Sequence, residues 1–167
     1  MTSPAAALSI RRATPADWPA LWPIVSATAA GGDTYALDPA ISESAAREYW
    51  MGDGVATYVA ERDGEVVGTY ALRANQRGPG SHVANAGYMV RPGAFGQGVG
   101  TRLATHSLDE ARAAGFEAMQ FNAVVITNGR AVALWQRLGF AIVGTVPRAF
   151  RHRTRGDVDI HIMHRFL

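Results

Sequence analysis

Val90-Arg91-Pro92-Gly93-Ala94-Phe95-Gly96-Gln97-Gly98-Val99-Gly100-Thr101-Arg102-Leu103 is the stretch on which the reading of this chain turns. Three alternating glycines stand where a strand-like run, residues 82–90, gives way to helical periodicity. Glycine tolerates left-handed backbone and leaves its amide bare, so such a turn lays several N–H donors against an anion. The helix that follows adds the positive end of its dipole. Phe95, Gly96, Gln97, Gly98, Val99, Gly100 and Thr101 are therefore expected to hold a phosphate-bearing ligand. A P-loop would place Lys and then Ser or Thr after its last glycine, and this turn does not. The dinucleotide fingerprint would need a third glycine at Thr101 or Leu103, so it is excluded too.

Downstream of the turn, Leu103, Ala104, Ser107, Leu108, Ala111 and Ala114 recur at helical spacing and Gly115 closes the run. Residues 119–125 read as a buried strand. Thr127-Asn128 is a helix cap, and Ala131, Leu134, Trp135 and Leu138 are the apolar stripe of another helix that Gly139 stops. Two closing strands are expected over 140–146 and 158–166. Between them, a loop over 147–156 carries Arg148, Arg151, His152, Arg153 and Arg155.

Upstream, residues 8–12 alternate as a first strand, and Pro19 and Pro23 put the start of the first helix near Ala20, with Gly31-Gly32 at its end. Ser42 and Glu43 open a short second helix that runs to Met51. Residues 55–62 and 65–72, joined by Asp63-Gly64, read as a hairpin. Residues 33–39, with Tyr35 among them, form an irregular segment between the two helices that borders a substrate pocket.

With 167 residues the chain is expected to be one domain, 1–167, large enough for a core of its own. Sixteen basic against fourteen acidic side chains leave a net charge of +2, which is no nucleic-acid footprint. With no cysteine there is no disulfide, thiolate zinc site or cysteine nucleophile, so thioester chemistry must bring its sulfur on a cofactor. Residues 1–7 lack a basic leader region and no apolar run is long enough to span a bilayer, so a cytoplasmic location is expected, with no membrane partner. His161 and His164 fall on opposite faces of a strand, and no metal is expected.

Val90, Pro92, Gly98 and Gly100 resemble the Val-x-Pro and [Gln/Arg]-x-x-Gly-x-[Gly/Ala] pattern of the GNAT N-acetyltransferase superfamily, with Phe95 where Gln or Arg is usual. Asn128, Ala131, Leu134, Trp135, Gly139 and Phe140 resemble its second signature, and the element order agrees. The resemblance implies an α/β (α+β) fold: a mixed, mostly antiparallel sheet of about seven strands with about four helices, its fourth and fifth strands splayed apart. It also implies acetyl-CoA as cofactor. Pantetheine and the thioester carbonyl would be held by peptide groups near Tyr88, Met89 and Val90, pyrophosphate by 95–101, and the pantetheine region by Asn128. Amides aimed at the thioester oxygen would stabilise the charge that develops on amine attack.

Many relatives carry an acidic tyrosine where this chain has Trp135, whose indole is no acid, so Trp135 is either a wall to the cofactor or core. For a base the candidates are His82, at the head of the fourth strand, and an Asp159–His161 pair two apart on one strand face. The run from Ser81 to Val90, with Phe121-Asn122 and Thr127-Asn128, is similar to fungal proline-analogue N-acetyltransferases. These acetylate small cyclic secondary amino acids such as azetidine-2-carboxylate. That likeness implies that Asn85 and Asn122 orient a small amine or amino acid. Arg151, in the basic loop, would draw a carboxylate or phosphate over the acceptor; a solvated loop, the cofactor's 3′-phosphate and a dimer partner are its other readings. A homodimer is implied by the resemblance. A CoA-binding module without catalysis and an acetyltransferase of peptide N-termini are the alternative functions.

Overall fold

A computed structural model describes residues 7–167; residues 1–6, which make up most of the stretch read above for a leader, lie outside the described residues. The elements are β1 (Ser9–Arg12), α1 (Trp18–Gly31), α2 (Glu43–Met51), β2 (Ala56–Arg62), β3 (Glu65–Ala74), β4 (Val83–Val90), α3 (Val99–Ala113), β5 (Ala118–Val125), α4 (Gly129–Arg137), β6 (Ala141–His152) and β7 (Gly156–Phe166). Seven strands form one sheet in the order β1-β2-β3-β4-β5-β7-β6. Every pairing is antiparallel except that of β4 with β5.

Strand parity sorts the core into two layers. Ala84 and Ala86 of β4 face α3 and α4, where Leu103, Leu108, Phe121, Trp135 and Phe140 gather. Met89 faces α1 and α2, where Trp18, Leu21, Ile24, Val25 and Trp50 gather. The N-terminal turn of α3 lies close on β3 because Gly68 has no side chain: a Cβ there would stand 2.8 Å from Val99 Cγ1 and 3.0 Å from Leu103 Cδ1. On the other layer, buried Trp50 donates its indole N–H to Thr69 Oγ1 at 3.0 Å, and Thr57 Oγ1 donates to the Trp50 carbonyl at 2.5 Å. These bonds lock α2 to the sheet and leave no buried polar group of the indole unpaired. Among the described residues no helix is long and apolar enough to cross a membrane.

Two expectations need correcting. The first helix starts at Trp18, ahead of Ala20, with Pro19 in its first turn and Pro23 inside it. Pro19 falls where an N–H has no helical partner, and Pro23 forfeits a single bond, a loss offset by burial of Trp18, Leu21, Ile24 and Val25. The basic stretch over 147–156 is mostly strand. β6 runs through to His152 across a bulge between Val146 and Phe150, where Pro147 sits without an N–H to offer the ladder. Arg148 there has a φ of +52°, and its N–H donates to the Asp159 carboxylate at 2.8 Å. The tip of the β6–β7 hairpin rests on the end of α1, where Arg153 N–H donates to the Gly32 carbonyl at 3.0 Å.

Candidate active site

Parallel pairing of β4 with β5 is confined to Val83↔Ala118 and Ala84↔Met119. Beyond these pairs the strands part, as expected. β5 also bends: Phe121 pairs with Met163 and Val124 with His161, so Asn122 and Ala123 together oppose Ile162. The gap opens into a cavity of about 700 Å³ that reaches from the end of α1 to Pro92 and Phe95.

Which peptide groups face the gap follows from the ladder. In an antiparallel pair, a residue's N–H and C=O point the same way and alternate along the strand. Asn75 N–H donates to the Val83 carbonyl and Arg91 N–H to Val67, so odd-numbered residues of this strand turn toward β3. The Met89 carbonyl also lies on the Gly68 side, 3.3 Å from where a Cβ would be. Ala86, Tyr88 and Val90 therefore present N–H and C=O to the gap. Met89, expected to offer its peptide to a thioester, gives it to β3 and buries its side chain under α1 and α2.

The Tyr88 groups are engaged from within the protein. Tyr88 N–H donates to the Tyr35 hydroxyl at 2.5 Å, and that hydroxyl donates to the Tyr88 carbonyl at 3.1 Å. Burial pushes the Tyr35 hydroxyl well above the ordinary tyrosine pKa, while the positive charge of Arg73 acts in the opposite direction. The ring of Tyr88 points to the other layer. Its hydroxyl bonds Ser107 Oγ at 2.7 Å, burial raises its pKa as well, and its ring lies 4.9 Å from that of Trp135. Trp135 packs on Phe121 and Phe140 and also lines the cavity.

At the far end of the gap, Gly98 caps α3 with a φ of +78°, and Gly96 has a φ of +76°. The α3 amides are left pointing out of the turn. Gln97 is a brace within this turn: its Nε2 donates to the Gly93 carbonyl at 3.0 Å and its Oε1 accepts from Arg62. Phe95 is 62% exposed beside the cavity. Asn128 caps α4, accepting from Ala131 N–H at 3.3 Å, and also lines the cavity.

The other end of the cavity lies on the α1–α2 face. Asn85 donates to the Gln120 carbonyl at 3.0 Å, and Asn122 accepts from Gln120 Nε2 at 2.9 Å while donating to Asn75 Oδ1 at 2.7 Å. Asn85, Asn122 and Tyr35 all line the cavity with Tyr49 and Asp33. Arg73 sits directly across the β3–β4 ladder from Asn85, and its guanidinium lies over the Tyr49 ring, 4.8 Å from the centroid. Its Nε is buried without a hydrogen-bond partner, and no carboxylate pairs with it among the described residues.

Other sequence candidates fall elsewhere. His82 is exposed, one residue before β4, and is not on the cavity lining. Asp159 and His161 do not pair: Asp159 serves Arg148 and His161 bonds Thr145 Oγ1 at 2.9 Å. Arg151 is exposed on β6 and paired with Asp157 at 3.0 Å. Four neighbours of the cavity were not singled out from the sequence: Tyr49, which lines it, and Arg73, Asn75 and Gln120, which contact lining residues. A signal existed for Arg73, a cation on the strand face that carries the buried residues Val67, Thr69 and Ala71.

The sequence profile of the acetyltransferase (GNAT) family matches residues 18–140. This chain belongs to that family. The N-acetyltransferase aca1 of Schizosaccharomyces pombe (strain 972 / ATCC 24843) is 35% identical over 98 residues, which is 58% of this chain and 47% of the relative. The match thus spans about half the length of that curated relative, and it agrees with the likeness to fungal enzymes. A GCN5-related N-acetyltransferase from Kribbella flavida superposes with a TM-score of 0.92 at 48% identity, covering 96% of this chain and 98% of that one. The structure of yncA from Salmonella typhimurium, a putative acetyltransferase with its cofactor acetyl-CoA, shares the fold with a TM-score of 0.83 at 24% identity, over 96% and 94% of the two chains. The chemistry of this GNAT family is acetyl transfer from acetyl-CoA to an amine nitrogen.

Proposed function

We propose that this chain transfers the acetyl group of acetyl-CoA directly to the amine of a small molecule that carries a carboxylate, an amino acid or amino-acid analogue. The supporting observation is the arrangement around the β4–β5 gap. Peptide groups of Ala86, Tyr88 and Val90 face it along one side, the glycine turn closes one end, and Asn85, Asn122 and Tyr49 line the other, with the Arg73 guanidinium over the Tyr49 ring. The first set fits pantetheine, adding hydrogen bonds as a further strand would. The turn fits pyrophosphate. Arg73 fits a carboxylate, because its half-buried guanidinium has no carboxylate partner among the described residues and an anionic ligand would supply one.

Acetyl-CoA, when bound, supplies an activated acyl group on sulfur. The chain has no cysteine to accept it, so the amine attacks the thioester in a ternary complex. The N–C bond forms, the C–S bond breaks, and the proton shed by nitrogen ends on the departing sulfur or in solvent. Asp33 is the acidic side chain on the cavity lining and offers a counter-charge to an ammonium. Trp135 supplies no proton and serves as wall.

The test is thiol release from acetyl-CoA with a panel of amino acids, azetidine-2-carboxylate among them, together with polyamines and peptides. Saturable release with small amino acids is expected. Turnover with peptides alone, or tight acetyl-CoA binding without turnover on the whole panel, would overturn the proposal.

A further inference from the structure

We infer that the Tyr35 hydroxyl is a catalytic group: with the Tyr88 amide it forms a two-donor oxyanion hole for the thioester carbonyl. The inference rests on reading the β4–β5 gap as the acetyl-CoA site. A hydroxyl oxygen already sits 2.5 Å from Tyr88 N–H, the position that an acyl oxygen accepting the same proton must take. Of the residues turned to the gap, Tyr88 lies between Ala86 and Val90, past the last zipped pair, Ala84↔Met119, and level with the walls made by Trp135 and Phe121.

The surroundings are built to hold that hydroxyl. A Cβ at Gly87 would stand 2.7 Å from Tyr35 Oη, so the glycine keeps the approach open. The Tyr35 ring packs edge-on to Trp50 at 6.3 Å, and Trp50 is itself fixed through Thr69. Burial keeps the hydroxyl protonated through the working pH range, so it remains a donor, and the Arg73 charge adds a field of the sign that favours negative charge nearby.

When an acyl oxygen takes the Tyr88 N–H, the Tyr35 oxygen gives up its acceptor role. Its O–H then turns from the Tyr88 carbonyl to the incoming oxygen. As amine nitrogen adds to the carbonyl carbon, the C=O electron pair moves onto that oxygen, held between the N–H and the O–H. On collapse the C=O bond re-forms, the C–S bond breaks with its pair on sulfur, and the proton lost by the ammonium neutralises the thiolate. Donors aimed at the developing oxyanion act on the transition state more than on the ground state.

The experiment pairs kinetics with the infrared carbonyl stretch of bound [1-13C]acetyl-CoA. Tyr35→Phe is expected to lower kcat about 100-fold, the usual cost of one oxyanion donor, with KM for acetyl-CoA unchanged or lower because no hydroxyl competes for the Tyr88 amide. The stretch should fall in frequency on binding to the wild-type protein, and fall less in the variant. Gly87→Ala, which pushes the hydroxyl aside while keeping the tyrosine, should reproduce both effects; a thermal melt and retained CoA affinity show that either variant is folded. A folded Tyr35→Phe protein with wild-type kcat and an unaltered stretch would overturn the inference and leave the acetyltransferase reading standing. No acetyl-CoA binding to the wild-type protein would remove that reading, and this inference with it.

Discussion

Replacing Gly98 by Asp separates binding at the glycine turn from folding of the turn. A Cβ at Gly98 meets no heavy atom within 4 Å, so the cost to the free protein is one of dihedral strain at a φ of +78°. That strain is about 1 kcal/mol, and Asp bears left-handed backbone better than most residues. The new carboxylate lies at the N-terminus of α3, where the helix dipole returns roughly 0.3–1 kcal/mol. The two terms nearly cancel, and Tm should move by no more than a few degrees. Against a bound pyrophosphate the balance is different. A unit charge at about 4 Å from another repels by about 4 kcal/mol at an effective dielectric constant near 20. If solvent leaves only a third of that, each phosphate charge costs about tenfold and a pyrophosphate about 100-fold in affinity. Isothermal titration with CoA measures the loss, and Gly98→Ala, which keeps the strain without the charge, is the control. An Asp variant that binds CoA as the wild type does would refute the placement of the pyrophosphate.

Arg73→Gln should raise KM for an amino acid about 30-fold, from the loss of a charge-assisted pair of about 2 kcal/mol, while leaving the corresponding decarboxylated amine unaffected; equal effects on both substrates would dismiss the carboxylate role. Acid stability offers a probe far from the site. The Arg11 guanidinium holds the Asp17 carboxyl at about 2, below its usual 3.8, so this carboxylate adds stability above pH ~4 that is lost as pH falls toward 2. With Arg11 43% exposed, solvent screening limits the contribution to roughly 1 kcal/mol. Asp17→Asn should flatten the urea midpoint between pH 4 and 2, and an unchanged slope there would contradict the assignment.

The parts of the site that were readable from sequence are those written in local backbone chemistry. Gly96, Gly98 and Gly100 announced the turn ahead of α3 because a change from strand to helix periodicity flanks them, and Asn128 announced its cap because capping acts over three residues. The stretch from Pro147 to His152 was misread because proline and arginines mimic loop composition, whereas Pro147 and Arg148 occupy a bulge and Arg151 an edge strand; only 153–155 form the turn. Long-range contacts left no local trace. Tyr35 and Tyr88 are 53 residues apart, and a hydroxyl reaching a strand has no period to betray it. Met89 was assigned along with Tyr88 and Val90 because strand parity toward β3 depends on a register that hydrophobic alternation does not specify on a strand buried on both faces. His82 was attractive for its titration range and its place at the head of the fourth strand, whereas its distance from the cavity lining is a property of the folded chain.

Binding of acetyl-CoA by the gap-facing peptide groups of β4 and the turn before α3 is read from backbone amide chemical shifts during an acetyl-CoA titration. The amides of Tyr88, Val90 and residues 96–101 should move together with one dissociation constant, while those of β1 stay in place. Saturating shifts that spare Tyr88 and Val90 and cluster elsewhere would contradict it.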